Sequence, residues 1–221
     1  MESLLFPIPG IRISDYTYQL PDHRIARYPL PVRHDSKLLV NRYGSITDHR
    51  FSDLPSLLPE KSLVIFNNTK VVPARLFFRK ETGAIIEVFC LEPASPAEYV
   101  LAFSQHASST WYCAVGNAKK WKTGPLSLYN PHKDPVLAGL DLSASLIGQE
   151  ADRYLVRFSW SADQPFSVIL ETSGRVPIPP YLKREAEACD VERYQTVYAR
   201  DRGSVAAPTA GLHFSKQVLR E

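Results

Sequence analysis

The chain has 221 residues, 44% hydrophobic and 11% aromatic, enough apolar surface for a true core in one large domain or two small ones. Its 26 Lys plus Arg against 23 Asp plus Glu leave a formal net charge of +3, which excludes a protein that coats nucleic acid through bulk charge. Three widely separated cysteines, Cys90, Cys113 and Cys189, offer neither a disulfide framework nor a paired-thiol zinc site.

Reduced thiols fit a cytoplasmic protein. The LLFPIP run near the N-terminus is short and broken by proline, a poor signal peptide, and no apolar run approaches membrane-spanning length. Charge is uneven: residues 1–80 hold 12 Lys or Arg against 7 acids. A basic N-terminal third is compatible with an RNA footprint and equally with an ordinary solvated face.

In chain order, 38–42 (LLVNR) reads as a strand, 51–59 (FSDLPSLLP) as a short helix, and 63–67 (LVIFN) as a strand buried on both faces. Strand, helix, buried strand is an α/β order. From about 74 to 160, the runs RLFFRK, AIIEVFCLE, YVLAF, TWYCAVG, LSLY and RYLVRFSW alternate with Gly, Pro, Ser or Asn clusters and read as short strands of a small barrel or sandwich. Helical signals return around FSVILETS, with Asp163 as a cap, Pro165 at an early helical position and Gly174 after the end. The expected architecture is an α/β domain made of residues 1–73 and 161–221, with an all-β, small β-barrel domain inserted at 74–160. Ser215 reads as the N-cap of a helix that stops six residues later, which predicts a truncated protein.

Four segments carry candidate chemistry. FNNTKVVPARL (66–76) places Asn67, Asn68 and Thr69 at a strand end, where α/β proteins bind ligands, and adds Arg75, able to grip phosphate or carboxylate. A plain Asx-type turn accounts for the same amides. GSVAAPTAGLHF (203–214) crowds small residues around Pro208, Thr209 and Gly211, permitting close approach of backbone to a ligand, and then presents His213. Its alternative is a turn with a structural histidine. GRVPIPPYLKR (174–184) and DVERYQTVYAR (190–200) interleave aromatics with bases, a pattern for stacking nucleobases and reaching phosphates, or else a proline-rich loop and an ordinary strand. Lys119, Lys120 and Lys122 around Trp121 read as a solvated hairpin, with RNA contact the lesser alternative.

PVRHDSKLLV (31–40), FNNTKVVPARL, KETGAIIEVF (80–89), GRVPIPPYLKR and ERYQTVYARDRGSVAAPTAGLHF (192–214) resemble, in order, successive blocks of the S-adenosylmethionine:tRNA ribosyltransferase-isomerase family of queuosine synthesis. Asn68 and Lys70 stand where that family usually has Asp and Arg, and Lys37 where Arg is common. The resemblance implies an α/β protein with an inserted β-barrel, acting as a monomer in the cytoplasm away from membranes. It implies transfer and isomerisation of the ribosyl group of S-adenosylmethionine onto the 7-aminomethyl-7-deazaguanine of the tRNA wobble position, giving epoxyqueuosine and releasing adenine and methionine. S-adenosylmethionine is then a consumed ribosyl donor, with no recycled cofactor and no metal.

Carried over residue by residue, the resemblance implies catalytic roles for His213, Thr209 and Asp35, with His213 first for proton transfer. It implies substrate contacts for Arg33, Asn67, Asn68, Thr69 and Arg75, and for Glu192, Tyr194, Gln195 and Gly211. RNA contacts fall to Arg24, Arg27, Tyr181, Lys183 and Arg184. The alternative is a truncated, inactive tRNA-binding fragment or paralogue. A conventional methyltransferase is disfavoured because the chain has no glycine-rich strand-to-helix loop of the GxGxxG kind.

Overall fold

The computed structural model describes residues 10–221, so the LLFPIP segment lies outside the described residues. The first regular elements are β1 (Lys37–Arg42) and β2 (Ser45–Arg50), an antiparallel hairpin with Arg42 opposite Ser45. A 3-10 turn leads into α1 (Leu54–Leu57), the short helix expected there.

The expected strand at 63–67 does not form. Residues 62–68 are irregular, with Leu63 and Ile65 exposed at 88% and 87%. A strand needs a neighbour to take its N–H and C=O groups, and among the described residues none lies beside this run. The strand–helix–strand reading is corrected with it, because β1 pairs with β2 instead. The parallel pair of this region is β3 (Thr69–Val71) with β10 (Asp201–Ser204), Asp201 opposite Thr69.

Between those two strands the chain forms a closed antiparallel barrel. It comprises β4 (Arg75–Arg79), β5 (Ile85–Ser95), β6 (Ser108–Gly116), β7 (Leu126–Leu128), β8 (Ser143–Glu150) and β9 (Arg153–Ser159), in the order β4-β5-β6-β9-β8-β7. Period-2 patterning explains the closure: Leu76 and Phe78, Ile86, Val88 and Cys90, Trp111 and Cys113, and Val156 and Phe158 all point inward and are fully buried. One end is plugged by α4 (Phe166–Ser173), whose Phe166 ring lies 5.6, 5.4 and 5.2 Å from those of Trp111, Phe158 and Trp160.

Further expectations are corrected. YVLAF is a helix, α2 (Tyr99–Phe103), which buries Ala102 and Phe103 against the barrel; an unbroken apolar run does not distinguish helix from strand by period. A second short helix, α3 (Pro135–Gly139), also interrupts the strands, and β2 and β8, rich in Ser and polar residues, escaped the sequence reading. Asp163 does not cap α4; it pairs with His106 at 3.0 Å, and the N-cap is Pro165. Gly174 does end α4, for a packing reason: a Cβ there would lie 1.7 Å from the Pro73 carbonyl oxygen. After a proline-rich strip comes α5 (Ala188–Arg193), and residues 194–200 form turns, not a strand. The Ser215 hydroxyl accepts from the Val218 N–H at 3.3 Å, but residues 216–220 form turns and not the expected helix. Among the described residues no helix is long and apolar enough to cross a membrane.

Candidate functional site

A cleft of about 520 Å³ opens where the 26–37 segment, the 178–184 strip, α5 and the 3-10 turn Thr209–His213 meet. These pieces are remote in sequence, and Arg33 ties them together. Its guanidinium donates to the carbonyls of Glu192 at 2.9 Å, Arg193 at 3.3 Å and Leu212 at 3.0 Å. Two of those acceptors are last-turn carbonyls of α5 that have no partner within the helix. Arg193 reciprocates by donating to the Pro31 and Leu30 carbonyls. Burial lowers the Arg33 pKa, with Arg193 adding to the effect.

His213 lines the cleft at the end of that turn. Its Nδ1 sits 3.0 Å from the Ser36 hydroxyl, and its ring 5.4 Å from that of Phe51. The single Ser36 hydroxyl proton goes to the Arg33 carbonyl at 3.0 Å, so toward the imidazole the hydroxyl accepts. The network therefore assigns the proton to Nδ1 and leaves Nε2 with a free lone pair. Burial lowers the His213 pKa, and the nearby Arg33 charge lowers it further, so the ring is neutral at pH 7. A neutral, oriented imidazole with a free Nε2 is a proton acceptor.

The turn approaches its neighbours closely. A Cβ at Gly211 would lie 2.2 Å from the Tyr198 hydroxyl and 2.9 Å from Thr196 Cγ2, so a glycine is needed for the turn to pack there. The cleft floor holds a buried ion pair, Arg184 with Asp190 at 2.6 and 2.8 Å, their side chains 9% and 4% exposed. The Asp190 carboxyl is held below its ordinary range by Arg184, and the Arg184 pKa is raised by Asp190. Arg184 also lies 4.5 Å over the Tyr28 ring.

Of the residues singled out from sequence, the cleft gathers Arg27, Arg33, Tyr181, Arg184, Tyr194, Thr209 and His213. Burial raises the Tyr194 pKa. The others lie elsewhere. Asp35 faces Arg50 at 3.5 Å, Lys183 pairs with Asp22 at 2.8 Å, and Arg24 sits on an exposed 3-10 turn. Arg75 belongs to the barrel, its Nε 3.1 Å from Glu87 Oε1 but with the N–H not aimed at it. Glu192 contributes its carbonyl to Arg33, while Gln195 clamps the Val71 backbone at 2.9 and 2.7 Å.

Asn67 and Asn68 precede β3 and Thr69 begins it, rather than ending a strand. Asn67 Oδ1 accepts from the Thr69 N–H at 2.9 Å and hydroxyl at 2.6 Å, and Asn68 Nδ2 donates to Asp201 at 2.8 Å. Sequence reasoning missed Ser36, Tyr28 and Asp190; Ser36, next to Asp35 in PVRHDSK, was the one within reach of a signal. Among the described residues no group of three or more His, Cys, Asp or Glu is placed to hold a metal ion.

Residues 13–221 match the family described as Queuosine biosynthesis protein. The S-adenosylmethionine:tRNA ribosyltransferase-isomerase of Trichlorobacter lovleyi is 38% identical over 210 residues, covering 94% of this chain and 55% of that protein. The like-named protein of Pelobacter propionicus is 39% identical over 209 residues, with 94% and 55% covered, and that of Francisella tularensis subsp. novicida 37% over 213, with 96% and 56%. The chain thus spans about half the length of these curated relatives. With nearly its whole length matched, the chain belongs to the queuosine biosynthesis protein family.

Proposed function

We propose that this chain carries the donor-side chemistry of a tRNA ribosyltransferase-isomerase, moving the ribosyl group of S-adenosylmethionine onto the aminomethyl deazaguanine of the wobble position and rearranging it to epoxyqueuosine, with loss of adenine and methionine. The carrying observation is that the family match, 13–221, contains every residue of the cleft that holds the neutral His213. In this reading His213 Nε2 takes the proton beside the sulfonium, and Thr209 and Tyr194 supply hydroxyls to the sugar. Tyr28 and Tyr181 face the sulfonium charge with aromatic surface. Arg33 and Arg184 hold the cleft together, since their guanidinium groups are already engaged, which leaves Arg27 and Lys37 as the cations for carboxylate or phosphate. The nucleic-acid substrate would place the protein in the cytoplasm.

We also read residues 74–160 as a domain inserted into an α/β unit. The support is that β3, before the barrel, pairs with β10, after it.

The test is adenine release from S-adenosylmethionine, followed chromatographically, with an anticodon stem-loop that bears the aminomethyl deazaguanine. Release should depend on the modified base. Equal release with unmodified RNA, or none with the correct RNA, refutes the assignment.

A further inference from the structure

We propose that the end of the barrel remote from the cleft is a second RNA-binding surface, formed by Arg79, Lys80, Lys119, Lys120 and Lys122, which grips the phosphate backbone of the tRNA outside the reacting nucleotide. The inference rests on the tRNA substrate proposed above. β4 starts where Arg75 bridges to Arg175, and Arg79 lies four residues on at its far end, roughly 13 Å at about 3.3 Å each. Beyond Arg79 the hairpin to β5 brings Lys80 against the loop between β6 and β7, where its ammonium donates to the Lys120 carbonyl at 3.1 Å.

That loop is held rigidly. Trp121 is 2% exposed and donates from Nε1 to the Gly124 carbonyl at 2.9 Å, while Asn117 Nδ2 donates to the Ile85 carbonyl at 3.4 Å. With the tryptophan turned inward, Lys119, Lys120 and Lys122 remain exposed on either side of it, as does Arg79, opposite Ser127 just after this loop. Among the described residues none of the five cations forms an ion pair. Glu81 is the one acid in the two loops. At the cleft, by contrast, Arg184 pairs with Asp190, and Lys183 beside it pairs with Asp22.

Four exposed cations without a carboxylate partner, with Lys80 held on the Lys120 carbonyl among them, repel one another and produce a positive field whose natural complement is a polyanion. The barrel loops contribute no residue to the cleft, so one ligand meeting both must span two separate sites. An anionic membrane is the poorer fit, because surface-binding elements insert exposed aromatics and the aromatic here is buried.

The probe is a fluorescently labelled, unmodified tRNA transcript, with affinity measured by anisotropy across a salt series for the wild-type protein and for Lys119→Ala/Lys120→Ala/Lys122→Ala. Trp121 is left in place, and equal melting temperatures confirm an intact fold. Loss of three phosphate contacts should flatten the slope of log affinity against log salt by about 2 to 3, at roughly 0.7 to 0.9 per phosphate. The charge reversal Lys119→Glu/Lys122→Glu should weaken binding further at low salt. Unchanged slope and affinity in the triple variant overturn the proposal. So does wild-type protein that fails to bind the transcript at low salt, or that binds phosphatidylserine vesicles in its place. If adenine release fails while the slope still falls, the catalytic assignment is wrong and the RNA surface stands.

Discussion

Replacing Asp190 by Ala tests how the cleft is built. Its carboxylate makes two contacts of 2.6 and 2.8 Å to Arg184 and accepts the Glu187 N–H at 2.8 Å, all in a setting where the acid is 4% exposed. Leaving a buried charge without its partner costs about 3–5 kcal/mol. Loss of the cap at the start of α5 adds about 1 kcal/mol. Arg184 keeps its bonds to the Arg27 and Glu185 carbonyls and its place over Tyr28, which moderates the total to about 3 kcal/mol. Urea unfolding monitored by tryptophan fluorescence reads this as a lower midpoint. The double replacement Arg184→Met/Asp190→Leu should recover much of the loss, since apolar groups of similar volume substitute well for a buried pair.

The pH dependence has a definite sign. The folded Asp190 pKa lies below the ordinary 3.8, so the unfolded chain binds more protons as pH falls toward and below that value. The stabilisation is therefore complete above this window and is lost below it, and the gap between wild type and variant should narrow there. A loss under about 1 kcal/mol at pH 7, the range of an exposed pair, refutes the reasoning.

His213→Ala should lower turnover by about 100-fold to 10,000-fold with little change in substrate affinity, while near-normal turnover in His213→Asn would reduce the ring to a hydrogen-bonding prop. Because the His213 pKa is lowered from 6.5, activity limited by this base should hold as pH falls through 6.5 and fail only below it; a half-maximum above 6.5 contradicts the buried, Arg33-flanked setting. Folding follows the same sign: protonation is harder in the folded protein, so this group removes stability as pH falls below 6.5, an effect that His213→Asn should abolish in urea titrations. Gly174→Ala places a Cβ 1.7 Å from the Pro73 carbonyl oxygen, and since backbone must move, stability should drop by about 1–3 kcal/mol in thermal or urea unfolding. An unchanged midpoint would show that the end of α4 and the entry to the barrel do not pack as described.

The barrel was legible because its information is local. Alternate residues such as Ile86, Val88 and Cys90 announce the inward face within a few positions, and the strand pairing follows from that pattern. The elements that escaped lack such a pattern: Ile46 of β2 is exposed, and YVLAF is apolar throughout. LVIFN failed differently. Its composition states that the segment belongs beside other strands, and no sequence window contains the neighbours; among the described residues no strand pairs with it, and Leu63 and Ile65 stand in solvent.

The site was harder to read because its determinants are pairings across long stretches of chain. Arg33 meets Leu212 at a separation of 179 residues and Ser36 meets His213 at 177, so no spacing rule points from one to the other. Residue types alone also misdirect. Arginine in a conspicuous motif invites a phosphate or carboxylate, yet Arg33, Arg75 and Arg184 are held by carbonyls or internal acids. An arginine reads as a ligand contact only when its internal partners are known, and that information is geometric. The same logic works in reverse on the lysines of the 117–124 loop. In sequence they resemble any solvated hairpin, and it is the buried Trp121, the approach of Lys80 and the missing carboxylates that turn an unremarkable charge run into a surface with a missing counterpart.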